Sequence, residues 1–384
     1  MNTVLIDVTR LVDRRLQKLL PTGVDRVGLE YVEHFRARSR AVVRFAGRWV
    51  VLNERQSQRL YDSLHCSDSG FTSMVRRCLG SAYVCNWDRG STASILINTG
   101  HSGLDQPTYV EQARRRNWRL VLFLHDLIPV THPEYCRPGE AVVHRRRLEA
   151  MLSPKVGLIL NSHATQRELE EYAAKVQKPV PRCAVAPLAS ARLPKPSAVR
   201  PMAESYFVML GTIEARKNHW FLLHVWKRLV ERLGEHAPVL VIIGRRGWEC
   251  ENAIDMLDRC ENLNSKVIEL THCNDTGLAT YLHHAQALVF PSLVEGYGMP
   301  LIEALSTSVP VIASNLDVFR EISGEIPDYL DPLDGPAWTD RIDAYTRSDS
   351  RERKAQIARL AGFHAPTWKQ HFEIAEHLIS ELTS

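Results

Sequence analysis

Short apolar runs alternate with longer amphipathic stretches along the whole of this chain, and that rhythm is what most narrows the folds open to it. Candidate strands lie at residues 4–8, 41–45, 94–98, 120–124, 157–161 and 184–186 in the first half. In the second half they lie at 206–211, 239–244, 266–270, 287–291 and 309–313. Between them, apolar residues recur at helical spacing. Val24, Val27, Tyr31 and Phe35 form one stripe, and Leu222, Trp226, Leu229 and Leu233 another. Strands alternating with helices imply β-α-β units and parallel sheets, an α/β fold. The chain has 384 residues, enough for two domains. A break rich in proline and lysine runs from Leu193 to Pro201, and a fresh strand begins at Tyr206. The expected organisation is therefore residues 1–196, residues 197–365 and a closing helix at 366–384. Two such halves would leave a cleft, with ligands at the carboxyl ends of parallel strands.

Composition excludes some classes. Hydrophobic residues make up 45% and charged residues 24%, as in an ordinary globular protein. The first ten residues lack a basic-then-apolar leader, so a cytoplasmic protein is expected. The longest apolar runs, such as 239–243, are too short to span a bilayer. The cysteines at 66, 78, 85, 136, 183, 250, 260 and 273 form no CxxC pair and no Cys/His cluster, so they read as reduced thiols with no metal site. Charge is uneven. Residues 1–196 carry 30 Lys and Arg against 18 Asp and Glu, a charge of +12, while residues 197–384 carry 18 against 26, or −8. The basic half, with clusters at 14–15, 76–77, 114–116 and 145–147, suits either an anionic surface or a solvated arginine-rich face. No aromatic-interleaved basic motif points to nucleic acid.

Two stretches carry the chemistry. In the first, a strand ends at Pro291, a loop follows with Glu295, Gly296 and Gly298, and Met299, Pro300 and Leu301 open a helix that holds Glu303. The glycines let backbone approach a ligand, the free amides at the helix start suit an anion, and the carboxylates can accept hydrogen bonds from hydroxyls. The alternative is structural: Glu295 caps the turn and Glu303 complements the helix dipole. In the second, Gly211 follows a strand and Arg216 and Lys217 precede a helix, where they can hold a diphosphate and neutralise a departing anionic group. His125, at a strand end, is a sugar contact, a base or a packed ring. Its neighbour Asp126 points the other way and is not its direct orienter. The stretch Gly244-Arg245-Arg246-Gly247-Trp248 either helps hold a nucleotide or forms a surface turn.

Taken together, Glu295-Gly296-Tyr297-Gly298-Met299-Pro300-Leu301-Ile302-Glu303 resembles the spaced two-glutamate motif of glycosyltransferase family 4. Gly211 to His219 resembles that family's diphosphate loop. Further likenesses follow in order at Gly23-Val24-Asp25-Arg26, Leu124-His125-Asp126, Asn161-Ser162, Ala186-Pro187-Leu188, Arg320-Glu321-Ile322, Asp331-Pro332 and Ala365 to Trp368. The resemblance implies a GT-B fold: two Rossmann-like domains with parallel sheets facing across a cleft, an acceptor-binding N-terminal one and a nucleotide-sugar-binding C-terminal one, and a C-terminal helix that packs back on the first. It implies a retaining, metal-independent hexosyltransferase that uses a nucleotide-sugar donor as substrate and needs no cofactor. Glu295 would contact the donor sugar, Glu303 the ribose, Arg216 and Lys217 the diphosphate, His125 the sugar near its anomeric carbon, and Gly23 the phosphates. GDP-mannose is preferred over UDP-hexoses and dTDP-rhamnose. The acceptor would be a glycan or a lipid-diphosphate-linked glycan in the synthesis of bacterial lipopolysaccharide, capsule or exopolysaccharide, at the inner face of the membrane. The alternatives are a nucleotide-sugar epimerase of the same fold and a non-catalytic nucleotide-sugar-binding protein. The stretch Ser306-Thr307-Ser308-Val309-Pro310 stands where the family commonly has a glycine before a Pro-Val strand, and the segment 271–275 lies where a glycine often sits near the base, so the base is not specified.

Overall fold

The computed structural model describes residues 3–45, 47–65, 70–85 and 94–383. The chain forms two compact units. One comprises Met1–Leu127, Val142–Leu188 and Trp368–Ser384, the other Ile128–Ala141 and Ala189–Thr367.

The first unit holds strands β1 (Val4–Asp7), β2 (Ser39–Phe45), β3 (Arg48–Val51), β4 (Ser94–Asn98), β5 (Trp118–Leu124), β6 (Val156–Leu160) and β7 (Cys183–Val185), in the spatial order β3-β2-β1-β4-β5-β6-β7. Every neighbouring pair is parallel except β2 and β3, which form an antiparallel hairpin with Val42 opposite Val51. The sequence did not suggest β3. Only its last two residues are buried and apolar, and its partner is reached through a tight turn at Gly47, whose φ of +73° suits glycine. β4 and β6 are buried at every position, as befits parallel strands covered by helices on both faces.

The second unit holds β8 (Tyr206–Leu210), β9 (Val239–Ile243), β10 (Val267–Leu270), β11 (Leu288–Phe290), β12 (Val311–Ser314) and β13 (Asp328–Leu330), all parallel, in the order β10-β9-β8-β11-β12-β13. From β8 the chain winds outward through β9 to β10, then returns to place β11 on the other side of β8. β8 and β11 are therefore the neighbours at which the strand order reverses, and the carboxyl ends of such a pair are where open parallel sheets bind ligands. The helix His219–Leu233 covers this sheet with the expected stripe. Leu222, Trp226 and Leu229 are fully buried, and the Trp226 indole N–H donates to the Pro238 carbonyl at 2.9 Å. Trp338 joins the same core.

The C-terminal helix, Trp368–Thr383, returns to the first unit as the fold implies. The His371 ring N–H donates to the carbonyls of Ala186 and Pro187 at 3.0 and 3.2 Å, and its other nitrogen takes the Tyr31 hydroxyl at 2.9 Å. Phe372, Ala375 and Leu378 of its apolar stripe are buried. The units differ from the expected bounds in two places. The division falls at Leu188 and Ala189, ahead of the proline-rich break, and Ile128–Ala141 goes with the second unit. In that segment the Arg137 guanidinium lies 4.5 Å from the Trp248 ring centroid. Cys78, Cys136, Cys183, Cys250, Cys260 and Cys273 are free thiols. Cys66 and the side chain of Cys85 lie outside the described residues.

Candidate active site

The two charged stretches read from the sequence leave adjacent strands, β8 and β11, at the point where the strand order reverses. Leu293 N–H donates to the Arg216 carbonyl at 2.8 Å and ties the loops together. After β8, Gly211 takes φ +141°, a backbone conformation in which a side chain is strained. The loop then meets the stretch after β9. A Cβ on Gly244 would stand 1.9 Å from the Gly211 carbonyl oxygen, and one on Gly247 would stand 2.6 Å from that of Ile213. The glycines of 244–248 are therefore a buttress for the Gly211 loop. Arg246 is engaged there, paired with Asp258 and Glu269. Arg216 and Lys217 follow in a 3-10 turn, and Asn218, left-handed at φ +62°, starts the helix.

After β11, Ser292 and Glu295 lie in the loop. Gly298 takes φ +112°, and a Cβ there would fall 2.7 Å from the Phe319 ring, so glycine is required on both counts. Met299, Pro300 and Leu301 open the helix Met299–Ser306, and Glu303 is buried within it.

Three of the expected residues meet directly. The Glu295 side chain is 7% exposed. One of its oxygens accepts from the Lys217 ammonium and, at 2.8 Å, from the Ser292 hydroxyl; the other accepts from Arg216 Nη1 at 2.6 Å. Arg216 Nη2 donates to Glu214 at 2.7 Å. Burial alone would raise the Glu295 carboxyl, but Arg216, Lys217 and the Ser292 hydrogen bond outweigh it and hold the group down to about 2. Burial lowers the Lys217 ammonium, and Glu295 works against that shift. A carboxylate offers about four acceptor positions, and three of those on Glu295 are taken, so room remains for a hydroxyl. Lys217 has three N–H donors, and its contact with Glu295 uses one of them. A Cβ on Gly211 would sit 3.4 Å from the Lys217 Cε and 3.7 Å from its nitrogen, so glycine keeps this side of the ammonium uncrowded. The Lys217 ammonium also faces the Phe290 ring at 4.7 Å.

His125 and Gly23 lie in the first unit. His125 follows β5 and is buried. Its Nε2 lies 2.7 Å from the Thr99 carbonyl oxygen, which only accepts, so Nε2 carries the proton and Nδ1 is the acceptor of the neutral ring. Burial lowers this imidazole to about 4, against the Thr99 hydrogen bond and Asp126, so it is neutral at pH 7. Asn161 donates to the His125 carbonyl at 2.8 Å and fixes its backbone. Asp126 meets His144 through its own carbonyl, at 3.1 Å, so the contact that orients the His125 ring is Thr99. Gly23 is the first residue of the helix Gly23–Phe35, and no atom lies within 4 Å of where its Cβ would be. Two residues on, the buried Asp25 takes Arg10 at 2.8 Å and Arg14 at 2.6 Å. Sequence reasoning missed Glu214, Ser292 and Thr99. Thr99 meets His125 only because β4 lies beside β5, while Glu214 and Ser292 look like ordinary turn residues although their partners Arg216 and Glu295 stand within three positions.

Among the described residues, no group of three or more His, Cys, Asp or Glu side chains is placed to hold a metal ion. No helix among them is long and apolar enough to cross a membrane.

Residues 194–326 match the family model described as Glycosyl transferases group 1. The chain is related to glycosyltransferases. It is 27% identical over 300 residues to the serotype-specific mannosyltransferase WbdA of Escherichia coli, which covers 74% of this chain and 36% of WbdA, so the match spans about a third of that longer relative. It is 27% identical over 263 residues to the O-antigen chain mannosyltransferase B of the same organism, 65% of this chain and 67% of that one. Solved structures share the architecture. HepE of Anabaena, solved with UDP and glucose, aligns over 99% of this chain and all of its own, with a TM-score of 0.65 at 14% identity. Sucrose-phosphate synthase of Thermosynechococcus elongatus aligns over 100% of this chain and 99% of its own, with a TM-score of 0.63 at 15% identity. The fold is that of the GT-B glycosyltransferases.

Proposed function

We propose that the chain is a retaining, metal-independent glycosyltransferase of family 4 that moves a hexose from a nucleoside-diphosphate sugar to a glycan or lipid-linked glycan during bacterial surface-polysaccharide synthesis. The observation that carries this is the Glu295–Arg216–Lys217 cluster at the strand-order reversal, in which Lys217 and Glu295 are buried and the Lys217 ammonium has N–H groups beyond its Glu295 contact. The diphosphate would take those donors, and the negative charge that develops as its bond to the sugar breaks would be met by two cations in a buried site. Glu295 would accept a sugar hydroxyl at its remaining position. Glu303 would take the ribose hydroxyls, with Gly296 and Gly298 allowing close approach. His125, neutral and protonated at Nε2, would accept from a sugar hydroxyl through Nδ1, and Gly23 would leave room for phosphate. Two cations in this place can do the work of a metal ion.

The relatives named as mannosyltransferases support a mannose-type donor, and GDP-mannose is preferred over UDP-hexoses and dTDP-rhamnose. The test is a donor screen. The chain with GDP-mannose and a lipid-linked acceptor extract should release GDP at a rate unaffected by EDTA and form a product that keeps the donor's anomeric configuration. Release that requires metal, inversion at C1, or epimerised donor in place of transfer would each refute the corresponding part.

The basic half supports contact with an anionic membrane at the cytoplasmic face. Val142, Arg145 and Arg146 are exposed on the helix Glu140–Met151. Vesicles containing phosphatidylglycerol should retain the chain at low salt and release it at high salt. Equal partition onto neutral vesicles would count against this contact.

A further inference from the structure

Glu214 has no part in the roles assigned above, yet it is 4% exposed and sits against the site. It takes Arg216 Nη2 at 2.7 Å while Glu295 takes Nη1 at 2.6 Å, so the guanidinium is gripped by two carboxylates, one from its own loop and one from the loop after β11. The formal charges of Glu214, Arg216, Lys217 and Glu295 sum to zero. A buried cluster with one uncompensated cation is costly to keep folded, and Glu214 removes that cation's excess. The same carboxylate repels any anion that arrives at Arg216 and Lys217, and it competes for the N–H groups the anion would use. A nucleoside diphosphate is such an anion. It is also the group that must leave before another donor can bind.

We propose that Glu214 is a positioning residue that restrains Arg216 and sets the cluster's charge so that a nucleoside diphosphate is held loosely enough to depart. This rests on the reading that Arg216 and Lys217 take the diphosphate. The substitution that isolates the effect is Glu214→Gln. It keeps an acceptor oxygen for Arg216 and nearly the same shape, and it leaves the four-residue cluster with a net charge of +1.

The experiment is titration calorimetry of the full chain, wild type and E214Q, with GDP, UDP and the nucleosides guanosine and uridine. The wild type's preferred diphosphate should bind E214Q tighter by on the order of ten-fold, since one opposing charge beside a partly desolvated anion is worth at least that much. The matching nucleoside, which carries no charge, should show no gain. Damage to the loop would weaken diphosphate binding, so the direction of the change separates the proposed role from a purely structural one. Equal or weaker diphosphate binding by E214Q would overturn the proposal while leaving the functional reading in place. A wild type that binds neither of these diphosphates, nor dTDP titrated in the same way, would refute the functional reading, and this proposal with it. Should E214Q fail to fold, Glu214→Ser, with room for water in the vacated space, carries the same expectation of tightening.

Discussion

Replacing Glu295 by glutamine tests whether the cluster is held by charge. The carboxyl sits at about 2 in the folded chain against an ordinary value of 4.5. That difference corresponds to about 3 kcal/mol of folding stability at neutral pH, and breaking a buried pair commonly costs about 3–5 kcal/mol. Glu295→Gln leaves Arg216 and Lys217 sharing one carboxylate, Glu214, so a loss of about 3 kcal/mol is expected at pH 7. The sign with pH follows from the depressed value. Ionised Glu295 contributes fully above about pH 4.5, and the contribution fades as the pH falls toward 2. Wild type and variant should therefore differ equally at pH 7 and pH 5 and converge below that. Urea unfolding followed by tryptophan fluorescence reads this, because Trp226 and Trp338 lie in the core of the same unit. Equal stability of the two chains at pH 7, or a gap that does not shrink between pH 5 and pH 3, would refute the reasoning.

Lys217→Ala should slow donor turnover by a factor of about 100 to 1,000, the scale of a lost electrostatic donor of about 3–4 kcal/mol. A nucleoside-diphosphate release assay checks it, and unchanged turnover would support a non-catalytic binder. Gly211→Ala places a Cβ at φ +141° and 3.4 Å from the Lys217 side chain. A stability loss of about 1–3 kcal/mol and a raised donor KM are expected, and a variant that melts and binds like wild type would show the loop to be relaxed. Burial, with Asp126 and Glu171 adding to it, pushes Glu168 up to about 7. A raised carboxyl favours the folded chain below its ordinary value, and that advantage is lost as pH climbs through 7. Glu168→Gln should therefore gain on wild type between pH 5 and pH 8 in urea midpoint, and a constant difference would contradict this.

Much of the site was legible because its chemistry sits at strand-to-helix junctions, where glycines and charges stand out against apolar runs. Glu295, Arg216 and Lys217 could be named from their own neighbourhoods. Glu214 could not, because a carboxylate one residue from a basic pair reads as surface charge. Its partner Arg216 is also held by Glu295 from the loop after β11, a contact between residues about eighty positions apart. The glycines at 244 and 247 mislead in the same way. They resemble a ligand loop, and their task is to let one loop lie against another. The hairpin strand at Arg48–Val51 escaped notice because half of its short length is exposed or partly exposed. The fold class needed only the repeating alternation, which survives such local errors.

The excursion Ile128–Ala141 has a practical consequence for anyone recombining this chain with its relatives. Because that segment belongs with the second unit, the polypeptide passes from one unit to the other after Leu127, Ala141, Leu188 and Thr367. A chimera cut only in the proline-rich stretch would take Trp248 from one parent and Arg137 from the other, and would import a foreign segment onto the second unit. Grafts that move 128–141 together with 189–367 keep each module's own packing intact, and those are the junctions at which specificity could be transplanted.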